Sequence, residues 1–150
     1  MANRHQARES ALEVLYAWHS AERDEGMIPD LLNSRLQLEE RRAQDQQYLR
    51  EAVYGVLGEI DEIDQLIAGA IRGRSLRSVA HVEINVLRLA VWEMRNRLEI
   101  PYRVIINEAV ELTRAYAGEA PRGFINAVLD NLARKLRTEE VAKAARKGAR

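Results

Sequence analysis

The amino-acid sequence predicts an all-α protein of six to seven helices, and three observations carry that prediction. Apolar residues recur at i, i+3, i+4 and i+7 along most of the chain, the repeat that lines one face of a helix. No stretch alternates apolar and polar residues as a half-buried strand does. Glycine and proline mark the junctions between periodic segments (Gly26, Pro29, Pro101, Gly118 and Pro121), with no repeat of fixed period and no low-complexity linker. With 150 residues and 47% hydrophobic composition, the chain has the length of one domain and enough apolar surface for a core.

The first helix is predicted from Arg4 to about Arg23, with Ala11, Leu12, Val14, Leu15 and Trp18 as its apolar stripe. Its opening is unusual. Arg4, His5 and Arg8 put positive charge at the positive end of the helix dipole, where each costs about 0.3–1 kcal/mol at low salt. Binding an anion at those side chains and at the free N–H groups of a helix start would offset that cost. The competing reading is that Arg4 and Arg8 are exposed and screened.

Gly26 and Pro29 break the chain, and a short helix follows from about Asp30 to Glu39 with Leu31, Leu32 and Leu36 on one side. Gln44 to Gly58 resumes the period through Tyr48, Ala52 and Val56, and Glu59 to Ile71 continues it through Ile60, Ile63, Leu66 and Ile67. Arg72, Arg74 and Arg77 lie in a basic loop, and Ser78 fits an N-cap for the next helix. That helix, Val79 to about Leu98, is apolar around much of its circumference and belongs in the middle of a bundle; Pro101 ends it.

A helical hairpin closes the sequence. Ile105, Ala109, Leu112 and Tyr116 line the first helix; Ile125, Val128, Leu129, Leu132 and Leu136 line the second. Gly118 sits where a helix stops on a left-handed residue, and Pro121 where the next takes a preset φ. Beyond Arg137 the chain is charged and rich in alanine, and the sequence leaves open whether it continues the last helix or frays.

Composition narrows the chemistry. There are 23 basic and 23 acidic residues, so the chain is not a polycation, and without cysteine it has neither a disulfide framework nor a thiolate site. The N-terminus lacks the apolar core of a signal peptide, no run is long enough to span a membrane, and the composition suits a reducing cytoplasm. Charge is uneven: residues 134–150 hold seven Lys/Arg against two Glu, while Glu59-Ile60-Asp61-Glu62-Ile63-Asp64 holds four acids. Such asymmetry suits separate surfaces for a polyanion and a basic partner. For the acidic run, a solvated helix face is the plainer reading. His5, His19 and His81 are scattered, and no metal-ligand pair, phosphate loop or nucleophile motif is present. No enzyme activity, cofactor or metal is expected.

Nucleic-acid binding has better material. Arg4, His5, Gln6 and Arg8, the basic loop, and the pairs Tyr102-Arg103 and Arg122 with Phe124 supply cations and flat rings, the groups that hold single-stranded RNA. Tyr102 is expected to leave part of its ring exposed, whereas core packing is the stronger reading for Tyr16 and Phe124.

The run Ile100-Pro101-Tyr102-Arg103-Val104-Ile105-Ile106-Asn107-Glu108-Ala109-Val110-Glu111-Leu112, followed by Phe124-Ile125-Asn126-Ala127-Val128-Leu129-Asp130, resembles the signature of the NusB family of bacterial transcription antitermination factors. Arg8-Glu9-x-Ala11, Leu15-Tyr16 and Val82-Glu83-x-x-Val86-Leu87-Arg88 extend the likeness over nearly the whole chain. The resemblance implies a single domain of two packed helical sub-bundles, with residues 1–137 as the RNA-binding domain and 138–150 as a charged tail. It implies binding of boxA sequences in nascent RNA with NusE, a ribosomal small-subunit protein. That complex, with RNA polymerase, reads through terminators, notably in ribosomal RNA operons.

By position, the family's RNA surface falls on Arg4, His5, Gln6, Arg8, Tyr16, Tyr102, Arg103 and Phe124, with Glu83 chosen for the NusE-facing side. Two departures stand out. The opening is sparser in arginine than in many relatives, which predicts fewer phosphate contacts and a flatter salt dependence. Ala120-Pro121-Arg122-Gly123 also replaces the acid and polar residues that some relatives carry before the phenylalanine. A helical interaction scaffold without selective RNA binding is the alternative. A similar domain precedes certain ribosomal RNA cytosine methyltransferases, but a chain without cysteine lacks their nucleophile. Monomer and homodimer both remain open for the free protein.

Overall fold

The computed structural model describes residues 2–148, which form eight α-helices, three short 3-10 turns and, among the described residues, no strand. The chain divides into two compact units, 1–59 and 60–150. No helix among the described residues is long and apolar enough to cross a membrane. The all-α class follows the hydrophobic period. The eighth helix is the segment beyond Arg137, whose state the sequence left open.

In the first unit, α1 (Arg4–Ser20) opens on Asn3, whose Oδ1 accepts the Gln6 N–H at 2.9 Å. Its buried stripe is Ala7, Ala11, Leu12, Val14, Leu15 and Trp18. It stops three residues before the predicted end, because Glu22 and Arg23 adopt φ of 60° and 64°, a left-handed pair that no helix can contain. Pro29 does not break the chain as expected. It lies in the first turn of α2 (Ile28–Leu36), where its missing N–H has no helical partner to lose.

The next helix, α3 (Gln46–Gly58), is capped by Asp45, Oδ1 accepting the Tyr48 N–H at 3.0 Å, and it packs on α1 through Tyr48, Leu49, Ala52, Val53 and Val56. Buried Gln44 precedes this helix and donates from Nε2 to the Arg35 carbonyl at 2.9 Å. Glu13 ties three segments together: its carboxylate accepts from Arg35 at 2.8 Å and from Arg41 at 2.6 Å. The start of the chain is fixed by backbone bonds from Asn3 N–H to Ala43 and from Asp45 N–H to Asn3.

The second unit is built around α5 (His81–Asn96), which packs on α4 (Ile60–Ala70), α6 (Tyr102–Ala117) and α7 (Arg122–Leu136). Every residue from Ile84 to Met94 is buried, as a helix apolar on most sides requires. Ser78 is not its N-cap. The hydroxyl donates instead to the Ser75 carbonyl at 2.7 Å within a 3-10 turn, Leu76–Ser78, and α5 starts later from Ala80 with no side-chain cap.

Three polar residues, Asn85, Arg88 and Glu93, are buried inside the run of α5. Arg88, 2% exposed, donates Nε and Nη2 to the two oxygens of Asp64 on α4 at 2.8 and 3.0 Å. Its Nη1 reaches Asn85 Oδ1 at 3.0 Å. The acidic run therefore divides: Asp61 and Glu62 are exposed, while Asp64 is an internal counter-ion rather than part of a solvated face.

The hairpin of α6 and α7 buries Ile105, Ala109 and Leu112 against Ile125, Val128, Leu129 and Leu132, while Tyr116 and Leu136, the last members of the stripes read from the sequence, are only half-buried. Gly118 ends α6 at φ 84°, ψ −171°, a conformation essentially confined to glycine. Arg137 then interrupts the helical course at φ −130°, and α8 (Thr138–Gly148) follows.

Candidate nucleic-acid interface

Helix geometry sorts the residues at the start of α1. Successive residues advance about 100° around the axis, so Arg4 and Arg8 share one side while His5, Glu9 and Tyr16 share another. The first pair folds onto α3: the Arg4 and Arg8 guanidinium carbons lie 5.0 and 5.5 Å from the centroid of the buried Tyr48 ring. Arg4 also stands 3.8 Å from Asp45 Oδ2 and keeps part of its side chain in solvent. Arg8 is only 5% exposed. That sets aside the competing reading of an exposed, screened Arg8: its charge is held against an aromatic face, and the cation–π contact offsets part of the cost of leaving bulk water.

The second side faces outward. His5 is exposed with Nε2 4.0 Å from Glu9 Oε1, and Tyr16, 44% exposed, is not the core aromatic that helical spacing favoured. Gln6 is half-buried, and its Oε1 accepts no hydrogen bond.

In the second unit the structure joins two candidates that the sequence kept apart. Gly73, at φ 71°, turns the basic loop, and the Arg74 guanidinium lies over the half-buried Phe124 ring at 4.4 Å. Arg72, Arg74 and Arg77 are all exposed. Arg122 begins α7, which has no acid in its first turn and no side-chain cap, and it lies 3.7 Å from Glu119. A flat ring with a guanidinium on its face, beside a loop of exposed arginines, is chemically suited to base stacking and phosphate binding.

Tyr102 differs from expectation. It is 6% exposed, because the first turn of α6 directs the ring inward; Arg103 beside it is exposed, its guanidinium 5.6 Å from the Tyr102 ring centroid. The pair lines a pocket of about 290 Å³ with Ile106 and Asn107 of α6 and Asn126 and Asp130 of α7. Glu83 is half-buried in the first turn of α5, where the helix dipole favours a carboxylate. Among the described residues no group of His, Asp or Glu is arranged to hold a metal ion.

All of these features except Arg4 lie within residues 5–134, the span that matches the family model for the NusB family. The chain belongs to the NusB family. It is 37% identical to the transcription antitermination protein NusB of Hahella chejuensis over 96% of this chain and 94% of the relative. It is also 37% identical to the NusB of Coxiella burnetii, over 89% of this chain and 94% of the relative. Among solved structures it is similar to T. maritima NusB, with a TM-score of 0.80 and 26% identity over 95% of this chain and 99% of the other. It is similar, too, to a chain of a crystal structure of the antitermination factors NusB and NusE in complex with dsRNA, with a TM-score of 0.73 and 27% identity over 87% of this chain and 96% of the other.

The NusB signature runs divide by face. Their apolar members, Ile105, Ala109 and Leu112 with Ile125, Val128 and Leu129, hold the hairpin together. Arg103, Asn107 and Asn126 remain at the surface. Sequence reasoning had assigned no site role to the two asparagines or to Asp130. The available signal was their spacing: Asn107 follows Arg103 by four residues, and Asn126 and Asp130 follow Arg122 by four and eight, away from both apolar stripes.

Proposed function

We propose that this protein is a transcription antitermination factor. It binds boxA-type sequences of nascent RNA together with NusE, and the complex lets RNA polymerase read through terminators, notably in ribosomal RNA operons. The likeness, over 87% of this chain, to a chain of the crystallised assembly of NusB, NusE and dsRNA is the observation that carries this reading. The protein acts by binding alone, without catalysis, and works in the cytoplasm where nascent bacterial RNA is made.

In this reading Arg4, His5, Gln6 and Tyr16 contribute from the first unit, and Arg103, Arg122 and Phe124 from the second. Arg8 and Tyr102 support their neighbours from buried positions. Glu83 is assigned to the NusE-facing side. Residues 1–137 are the RNA-binding part and 138–150 a charged extension of it. Cations on phosphate supply affinity that falls with salt, while rings and amides supply selectivity.

Fluorescence anisotropy with a short boxA-like RNA and a scrambled control, over a salt series with and without NusE, tests the proposal. Selective binding that tightens with NusE is the expected result. Equal, weak and steeply salt-dependent binding to both RNAs would leave only generic electrostatics.

A further inference from the structure

We infer that the groove between α6 and α7 is a pocket for one unstacked nucleobase, read on its Watson–Crick edge by Asn107, Asn126 and Asp130. The inference rests on the RNA-binding reading above and deepens it by naming the residues that discriminate bases. Four observations converge on this groove. Its volume, about 290 Å³, is at the lower limit of small-ligand sites and suits a single heterocycle. Its lining combines apolar surface from the buried Tyr102 and Ile106 with polar groups from Asn107, Asn126 and Asp130. Both asparagines are exposed, and their side-chain amides are uncommitted to hydrogen bonds among the described residues. Arg103 stands beside the pocket and in solvent, able to meet a phosphate of the nucleotide whose base is inserted.

The donor and acceptor inventory defines the ligand. Each asparagine offers one amide oxygen and one NH₂, which together match a base edge that presents both donors and acceptors. Asp130 is an acceptor only when ionised. Its Oδ2 accepts from Arg134 at 2.6 Å, and Oδ1 has no hydrogen bond among the described residues. A free carboxylate oxygen beside two amides selects a base with an exocyclic amino group, such as adenine, guanine or cytosine. Arg103 carries no such information. It contributes attraction that is uniform across sequences and weakens with salt.

The test uses the full chain and a short boxA-like single-stranded RNA, with NusE present. Each amino-bearing base is replaced in turn by an analogue without that group: inosine for guanosine, purine riboside for adenosine, uridine for cytidine. For the unaltered protein, one position is expected to cost roughly tenfold in affinity. In Asn126→Ala and in Asp130→Asn that position should discriminate by less than twofold, with every other position unchanged. Arg103→Ala should weaken all the RNAs by a similar factor. Thermal melts followed by circular dichroism check that the variants are folded.

Failure of the unaltered protein to prefer boxA-like over scrambled RNA overturns the antitermination reading and the pocket with it. Should that preference hold while the asparagine and aspartate variants keep the full pattern of discrimination, or weaken every RNA equally, the pocket assignment alone is overturned.

Discussion

The carboxylate of Glu140 on α8 accepts the backbone N–H of Tyr102 through Oε2 at 2.8 Å, across 38 residues of sequence. Its other oxygen accepts from Arg137 at 2.7 Å, and Arg137 donates to the carbonyls of Met94, Arg97 and Ile100. One residue thus places a carboxylate at the start of α6, and the other places a guanidinium on the carbonyls at the end of α5. Both charges complement the dipole of the helix they meet. Nothing in the first turn of α6 supplies a cap of its own.

Glu140→Ala should therefore behave as the loss of an N-cap, costing about 0.5–2 kcal/mol. Arg137→Ala should cost more, about 3–5 kcal/mol, since it strands buried carbonyls and removes the counter-ion of Glu140. Denaturant unfolding gives both values. Equal and negligible losses would mean that α8 does not brace α6.

Asp64 and Arg88 make a second test by charge removal. Asp64→Ala leaves a guanidinium that is 2% exposed without its carboxylate and should destabilise by about 3–5 kcal/mol. Replacing both partners, Asp64→Leu with Arg88→Met, should recover most of that loss, because the desolvation penalty disappears with the charges. A double variant no more stable than Asp64→Ala would show that the hydrogen bonds to Asn85, rather than charge burial, set the energetics.

The parts of this fold legible in the sequence are those governed by local period. Ile105, Ala109, Leu112, Ile125, Val128, Leu129 and Leu132 were read as buried faces and are buried. What escaped was side-chain pairing between distant segments. Periodicity says that Arg8 lies on α1, but only the approach of α3 puts Tyr48 beneath its guanidinium. In the same way, Arg74 meets Phe124 because the loop after α4 turns toward α7. Glu140 read as one more charge in a charged tail, since a cap 38 residues away leaves no local mark. The candidate site was legible as a set of residue types, while its division into exposed and buried members required the fold.

Gly118 separates backbone strain from steric crowding. A Cβ built there meets no atom within 4 Å, so space is not the obstacle, yet φ is 84°. Gly118→Ala should cost about 1–3 kcal/mol from the backbone alone, lowering the melting temperature by several degrees in a chain of this size. A melt unchanged within a degree would indicate that the turn relaxes at no cost.

The two kinds of arginine predict different responses in one binding experiment. Arg103 and Arg122 are exposed, so replacing either with alanine should leave the melting temperature nearly unchanged while weakening RNA binding. Each lost phosphate contact should reduce the slope of log affinity against log salt by roughly 0.7 for a single strand. Arg8 is packed on Tyr48. Arg8→Ala should therefore lower stability through the lost cation–π contact and packing, by about 1–2 kcal/mol, and leave the salt slope of the folded protein close to that of the parent. Anisotropy over a salt series, paired with thermal melts of the same samples, separates the outcomes. A reduced slope for Arg8→Ala without loss of stability would return Arg8 to the phosphate-contacting set and imply that its guanidinium leaves Tyr48 when RNA binds.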